Sequence, residues 1–194
     1  MSSKVTAYQG KWGYNYIPDG KYVPEGTNVE IFSTLDAKHN EIRQLGHLGN
    51  GLMVDKSKFP ENYLLEVDNR LVVPVNTRIR FLVTSNDVIH AFWVPEAVPK
   101  IDANPGYINK TFTKINKPGV YRGVCTELCG RDHGFMPIVI EAVSQEDFKK
   151  WMAKQTAGQD VSVSAADAPA AAISEPAPVA ESAVAAEAAA KPAK

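Results

Sequence analysis

Both cysteines of this 194-residue chain lie in one short window, Cys125-Thr-Glu-Leu-Cys129-Gly-Arg-Asp-His133-Gly-Phe-Met136, and a further histidine, His90, stands well upstream of it. Thiolate, imidazole and thioether are the soft to borderline donors that suit copper, and one Cys, two His and a Met make up a blue-copper electron-transfer site. The second cysteine changes the chemistry. Two thiolates four residues apart can each bridge a pair of ions, which then share one unpaired electron and reorganise little when it arrives or leaves. Two other readings use the same residues: a C-x-x-x-C disulfide, and a structural zinc site of Cys125, Cys129, His133 and His90. Such a zinc site has no use for Met136, and a disulfide has no use for the histidines.

The residues around the window read as β-structure. Arg78-Ile-Arg-Phe-Leu-Val-Thr-Ser85 alternates polar with apolar before turning apolar and β-branched, the pattern of a half-buried strand. Leu71-Val-Val-Pro-Val75 is another, with Pro74 marking an edge or a strand end because proline cannot donate to a ladder. Lys110 to Ile115 alternates again, Lys117-Pro-Gly119 supplies a turn, and Val120 to Val124 leads straight into Cys125. Met136-Pro-Ile-Val-Ile-Glu141 leaves the window as a strand. The candidate ligands are therefore expected on loops at one end of a β-sandwich, with His90 on a separate loop.

Beyond that sheet, Ser144-Gln-Glu-Asp147 predicts a capping box ahead of Phe148, Trp151 and Met152 at helical spacing. From about residue 156 the composition collapses to Ala, Pro, Val, Glu and Ser, too little varied apolar surface to offset the entropy of ordering, so residues 156–194 are expected to be a disordered tail after a domain of residues 1–155. Lys and Arg number 21 against 22 Asp and Glu, which leaves no basic footprint for nucleic acid. No run of about 18 apolar residues is present to span a membrane, and neither a nucleophile triad nor a phosphate loop is visible. His39 and His47 have no Cys or Met at ligand spacing and read as exposed loop residues, and Gly46 to Pro60 reads as an inserted loop.

The motifs Asp87-Val-Ile-His90-Ala-Phe-Trp-Val-Pro95, Lys100-Ile-Asp-Ala-Asn-Pro-Gly106, Lys117-Pro-Gly-Val-Tyr-Arg-Gly123 and Cys125 to Met136 resemble the copper domain of cytochrome c oxidase subunit II, over roughly Val5 to Trp151. The resemblance implies an all-β, cupredoxin-like Greek-key β-sandwich with a short C-terminal helix, holding the binuclear copper centre CuA. On that likeness Cys125 and Cys129 bridge both coppers. His90 and Met136 complete one, and His133 with the backbone carbonyl of Glu127 completes the other. The Glu127 side chain would reach a magnesium ion at the boundary with the haem-bearing subunit I. No residue is assigned a catalytic role, since oxygen reduction belongs to that partner. Cytochrome c is the implied electron donor, docked through carboxylates such as Asp87, Glu96, Asp102, Glu127 and Asp132. The implied location is the outer face of a bacterial inner membrane, anchored by helices upstream of this soluble fragment.

Two departures stand out. Tyr107 follows Pro-Gly where the family often has arginine, so a salt link there is not expected. More important, Gln9-Gly10-Lys11-Trp12-Gly13-Tyr14-Asn15-Tyr16 stands where the family's first strand reads Gln-Trp-x-Trp-x-Tyr, and Gly10 takes the place of the exposed tryptophan that accepts the electron. As a strand residue, Gly10 would share a face with Trp12, Tyr14 and Tyr16 and weaken the strand by about 0.5–1 kcal/mol. Slow electron transfer from soluble cytochrome c, with copper binding intact, is the expectation. The CuA domain of nitrous oxide reductase is the alternative, with a similar Cys and His loop but an aromatic residue in place of Glu127. A non-enzymatic copper-binding module is the other alternative.

Overall fold

The computed structural model describes residues 1–47 and 59–157. Among the described residues, ten strands form two five-stranded sheets. The first, in the order β3-β2-β1-β5-β8, uses β1 (Ser2–Tyr8), β2 (Lys11–Ile17), β3 (Val29–Thr34), β5 (Arg78–Ser85) and β8 (Asn109–Lys114). The second runs β4-β10-β9-β6-β7, from β4 (Leu71–Pro74), β10 (Pro137–Val143), β9 (Gly119–Cys125), β6 (His90–Val94) and β7 (Val98–Ala103). The β1–β5 and β10–β4 pairs are parallel and the rest antiparallel. Pro74 ends β4, an edge strand hydrogen-bonded only to β10, where its missing N–H costs no ladder bond.

Aromatic residues on β2 fill the space between the sheets. Trp12, Tyr14 and Tyr16 are all fully buried, one face of a strand at period two. Trp12 meets Phe92 edge to face at 5.2 Å between ring centres, and Phe92 meets Phe81 at 5.8 Å. Tyr16 keeps its hydroxyl satisfied by donating to the Val72 carbonyl at 2.8 Å and accepting from the Val72 N–H at 3.0 Å. Helix α2 (Gln145–Thr156) begins where expected: the Ser144 hydroxyl accepts from the Asp147 N–H at 3.0 Å, and Phe148 and Met152 are buried under the sandwich.

Three expectations need correction. Gly10 is not in a strand. With Gln9 it forms the two-residue turn between β1 and β2, where Tyr8 pairs with Lys11 and Gly10 has φ +86°. A positive φ at the second turn position is what a type II turn requires, so glycine suits this position rather than weakening a strand. The polar stretch after Asp36 is helix α1 (Ala37–His47), started by the Asp36 carboxylate accepting from the Lys38 and His39 N–H groups. His39 is buried on that helix, and its Nδ1 accepts from the Leu64 N–H at 3.2 Å. Most of the expected inserted loop, and the tail from residue 158, lie outside the described residues.

Candidate metal centre

Three neighbouring strands of the second sheet deliver the candidate ligands to one end. The β6–β9 pairing sets Phe92 opposite Cys125, which places His90, two residues earlier on the same face, beside the last residue of β9. The β9–β10 pairing sets Pro137 opposite Val124, so Met136 arrives next to Cys125. Between them the chain makes one turn of 3-10 helix, His133–Phe135, which turns His133 back toward the sulfurs.

The donors form a compact ring. Both cysteines are free, and their sulfurs lie 3.9 Å apart. That is well beyond a disulfide bond of about 2.05 Å, yet two metal–thiolate bonds of about 2.3 Å can span it. His90 Nδ1 lies 3.8 Å from Cys125 Sγ, while His133 Nδ1 lies 3.5 Å from Cys129 Sγ. Met136 Sδ is 3.6 Å from Cys129 Sγ, and the Glu127 carbonyl oxygen is 3.4 Å from Cys125 Sγ. His90, Cys125 and Cys129 by themselves bring their ligand atoms within 4.8 Å of one another. All six residues singled out from the sequence thus converge. At Glu127 the backbone turns in while the side chain is exposed.

His90, Cys125, Cys129 and Met136 are buried while His133 is partly exposed, and neighbouring groups orient His90 and the Met136 backbone. His90 is fully buried and Met136 is 1% exposed. Asp87 Oδ1 holds His90 Nε2 at 2.7 Å, which leaves Nδ1 directed at the sulfurs. Burial would raise the Asp87 carboxyl, but His90 and the N–H groups of Gln9 and Val88 bring it below its ordinary range. For His90, burial disfavours the charged ring, and Cys125 with Asp87 outweigh it to raise its pKa. Burial likewise opposes a Cys125 thiolate, but the His90 ring leads a set of donors that lowers this thiol. Cys129 is pushed up, first by burial and then by the neighbouring Cys125 charge. Trp12 Nε1 donates to the Met136 carbonyl at 3.1 Å, tying the ligand loop to the core.

Several contacts at the site have no local signature in the sequence. Gln9, in the β1–β2 turn, reaches the Cys129 carbonyl across 120 positions of chain. Arg43 on α1 lays its guanidinium 3.9 Å from the centre of the Phe135 ring and reaches Asp132 at 3.6 Å. The acidic residues expected around the metal end are not all alike in their setting. Asp87 and Asp132 are engaged by His90 and Arg43, and Glu96 sits in the turn after β6, at the opposite end of that strand from His90.

Met136 and the Glu127 carbonyl flank the sulfurs along with the two histidines, six donors where one structural zinc takes four. The family model described as cytochrome C oxidase subunit II, periplasmic domain, matches residues 37–143. A probable cytochrome c oxidase subunit 2 of Rickettsia prowazekii is 46% identical over 153 residues, covering 79% of this chain and 42% of that protein. The cytochrome c oxidase subunit 2 of Pneumocystis carinii is 41% identical over 160 residues, covering 80% of this chain and 56% of that protein. The chain thus spans less than two thirds of the curated relatives it matches. Among solved structures, the periplasmic domain of subunit II of cytochrome oxidase (CoxB) of Bradyrhizobium japonicum is similar with a TM-score of 0.61 and 37% identity, over 80% of this chain and 92% of that one.

Proposed function

The chain belongs to the cytochrome c oxidase subunit II family, and from that premise we propose that it is the domain through which electrons reach a haem-copper terminal oxidase. The observation that carries this reading is the ring of six donors around two sulfurs 3.9 Å apart, with one imidazole on each. A copper pair bound there would supply a one-electron carrier that accepts from cytochrome c and gives to haem in the catalytic subunit. Cys125, Cys129, His90 and His133 would hold such a pair with two thiolates and two imidazoles, and Met136 and the Glu127 carbonyl would add the weak donors that tune its potential. Burial of His90, Cys125, Cys129 and Met136 keeps water out and the donors fixed. Enclosed ligands of this kind favour electron transfer over a carrier that must release its metal.

The exposed Glu127 carboxylate is free to face a partner subunit, and a magnesium ion shared across that boundary is the use we assign it. The domain proper is residues 1–155, and its place is the outer face of a bacterial inner membrane. No described helix is long and apolar enough to cross a membrane.

Copper stoichiometry and the electron paramagnetic resonance spectrum of the anaerobically reconstituted, oxidised chain test the reading. Two coppers per chain, with hyperfine splitting from one electron shared over both nuclei, are expected. One copper with a four-line pattern, or zinc with no signal, overturns it.

A further inference from the structure

The β1–β2 turn is bonded both to the loop ahead of His90 and to the backbone of Cys129. Through its backbone N–H, Gln9 donates to Asp87 Oδ2 at 2.7 Å, the carboxylate whose other oxygen holds His90. Through its side chain, Gln9 Nε2 donates to the Cys129 carbonyl at 2.8 Å. One residue therefore joins the loop that carries His90 to the turn that carries Cys129, two segments on either side of the sulfurs. The cysteine turn is shaped to receive it. Gly130 has φ +116°, and a Cβ there would stand 2.6 Å from Gln9 Nε2, so a side chain at position 130 would expel the amide.

We infer that Gln9 is a positioning residue for the metal centre, a strap whose amide holds the Cys129 turn closed on the sulfurs before any metal arrives. The inference deepens the copper reading and rests on it for its purpose, though not for its first test. The Cys129 carbonyl that Gln9 satisfies follows a buried sulfur. Losing the donor leaves that carbonyl to find water, which favours local opening of residues 126–130 while the aromatic core between the sheets keeps its packing.

The test begins with the metal-free, reduced chain and an aromatic disulfide reagent in excess, which reacts with the cysteines only when their turn opens. Gln9→Ala keeps the backbone bond to Asp87 and removes the side-chain donor. Gln9→Glu keeps the bulk and presents an acceptor to an acceptor. Both variants are expected to react about threefold to tenfold faster than the parent chain, the range set by one net hydrogen bond. The acceleration should be insensitive to low urea, as local opening is. In the copper-loaded chain, both should also show an altered thiolate-to-copper charge-transfer band. Equal rates in Gln9→Ala and the parent overturn the inference. So does a parent-like Gln9→Glu, which would make the residue a filler of space, or an acceleration that rises steeply with urea, which would mark global destabilisation. The thiol rates need no copper, so they stand even where the stoichiometry experiment returns one ion per chain and the functional reading fails.

Discussion

Asp87 Oδ1 lies 2.7 Å from His90 Nε2, while the same imidazole turns Nδ1 to within 3.8 Å of Cys125 Sγ. The carboxylate fixes which nitrogen is free to ligate and raises its basicity, the usual work of a group one shell out from a metal. Asp87→Ala leaves the ring buried against Trp12 but free to rotate or change tautomer. Copper retention is expected to fall by about 10- to 100-fold, measured by competition with a chelator of known affinity. Unchanged retention would show that packing alone orients His90.

Met136 is the donor whose removal should cost least metal and change potential most. It is 1% exposed, and its main chain is held by Trp12 independently of its sulfur. Met136→Leu conserves volume, so the fold should lose less than about 1.5 kcal/mol. With the thioether gone, the reduction potential is expected to shift by tens of millivolts on a scale where roughly 59 mV is tenfold. Cys129→Ser, in contrast, should lose copper outright. A redox titration of the two variants separates these outcomes, and copper loss from Met136→Leu equal to that from Cys129→Ser would contradict the ranking.

How far the sequence reached follows from the range of the interactions involved. Strand β5 is legible as Arg78 to Ser85 because period-two alternation is a local signal, and helix α2 because Ser144 and Asp147 cap it within one turn. Five candidate donor side chains are legible because ligand chemistry restricts residue type and the cysteine window fixes the spacing of four of them, whereas the Glu127 carbonyl follows only from the family resemblance. Gln9 and Arg43 are not, since each meets the site across the sequence and neither residue type announces a partner. Gly10 misleads because parity extended from Trp12 places it on a strand, whereas φ +86° at that residue ends the ladder one step earlier. His39 misleads for a related reason: the polar residues around it form a helix whose inward side is settled by the Leu64 N–H, a contact with no local signature.

Acid should unfold the chain partly through Glu66. Burial pushes its carboxyl up, but Arg70 and Arg122 donate to it at 2.9 and 2.7 Å and hold it down to about 2. A carboxylate depressed in the folded state contributes stability that is full above its unfolded value, near 4.5, and is lost as pH falls from there through about 2. The loss is on the order of 2–3 kcal/mol for a group partly open to solvent. Urea midpoints should therefore fall further between pH 5 and pH 2 for the parent chain than for Glu66→Gln. Parallel curves would show that the two arginines add nothing beyond packing.

Gly10 carries two separable burdens, a backbone shape and the absence of a π surface, and two substitutions tell them apart. With φ +86°, any side chain there costs about 1–2 kcal/mol of backbone strain. It also meets the Asp132 Cβ at 3.3 Å. Gly10→Ala and Gly10→Trp share that burden, so both should lower the thermal midpoint. Only tryptophan adds an aromatic face next to the loop of His133 and Met136. Stopped-flow mixing with reduced cytochrome c is expected to give slow reduction in the parent and in Gly10→Ala, and faster reduction in Gly10→Trp. The gain of Trp over Ala then measures the aromatic contribution with the strain cancelled. Equal rates in all three would mean that electrons reach the copper pair by a contact that does not involve the β1–β2 turn. The ring of Phe135, stacked under Arg43 and adjacent in sequence to Met136, would be the next surface to probe.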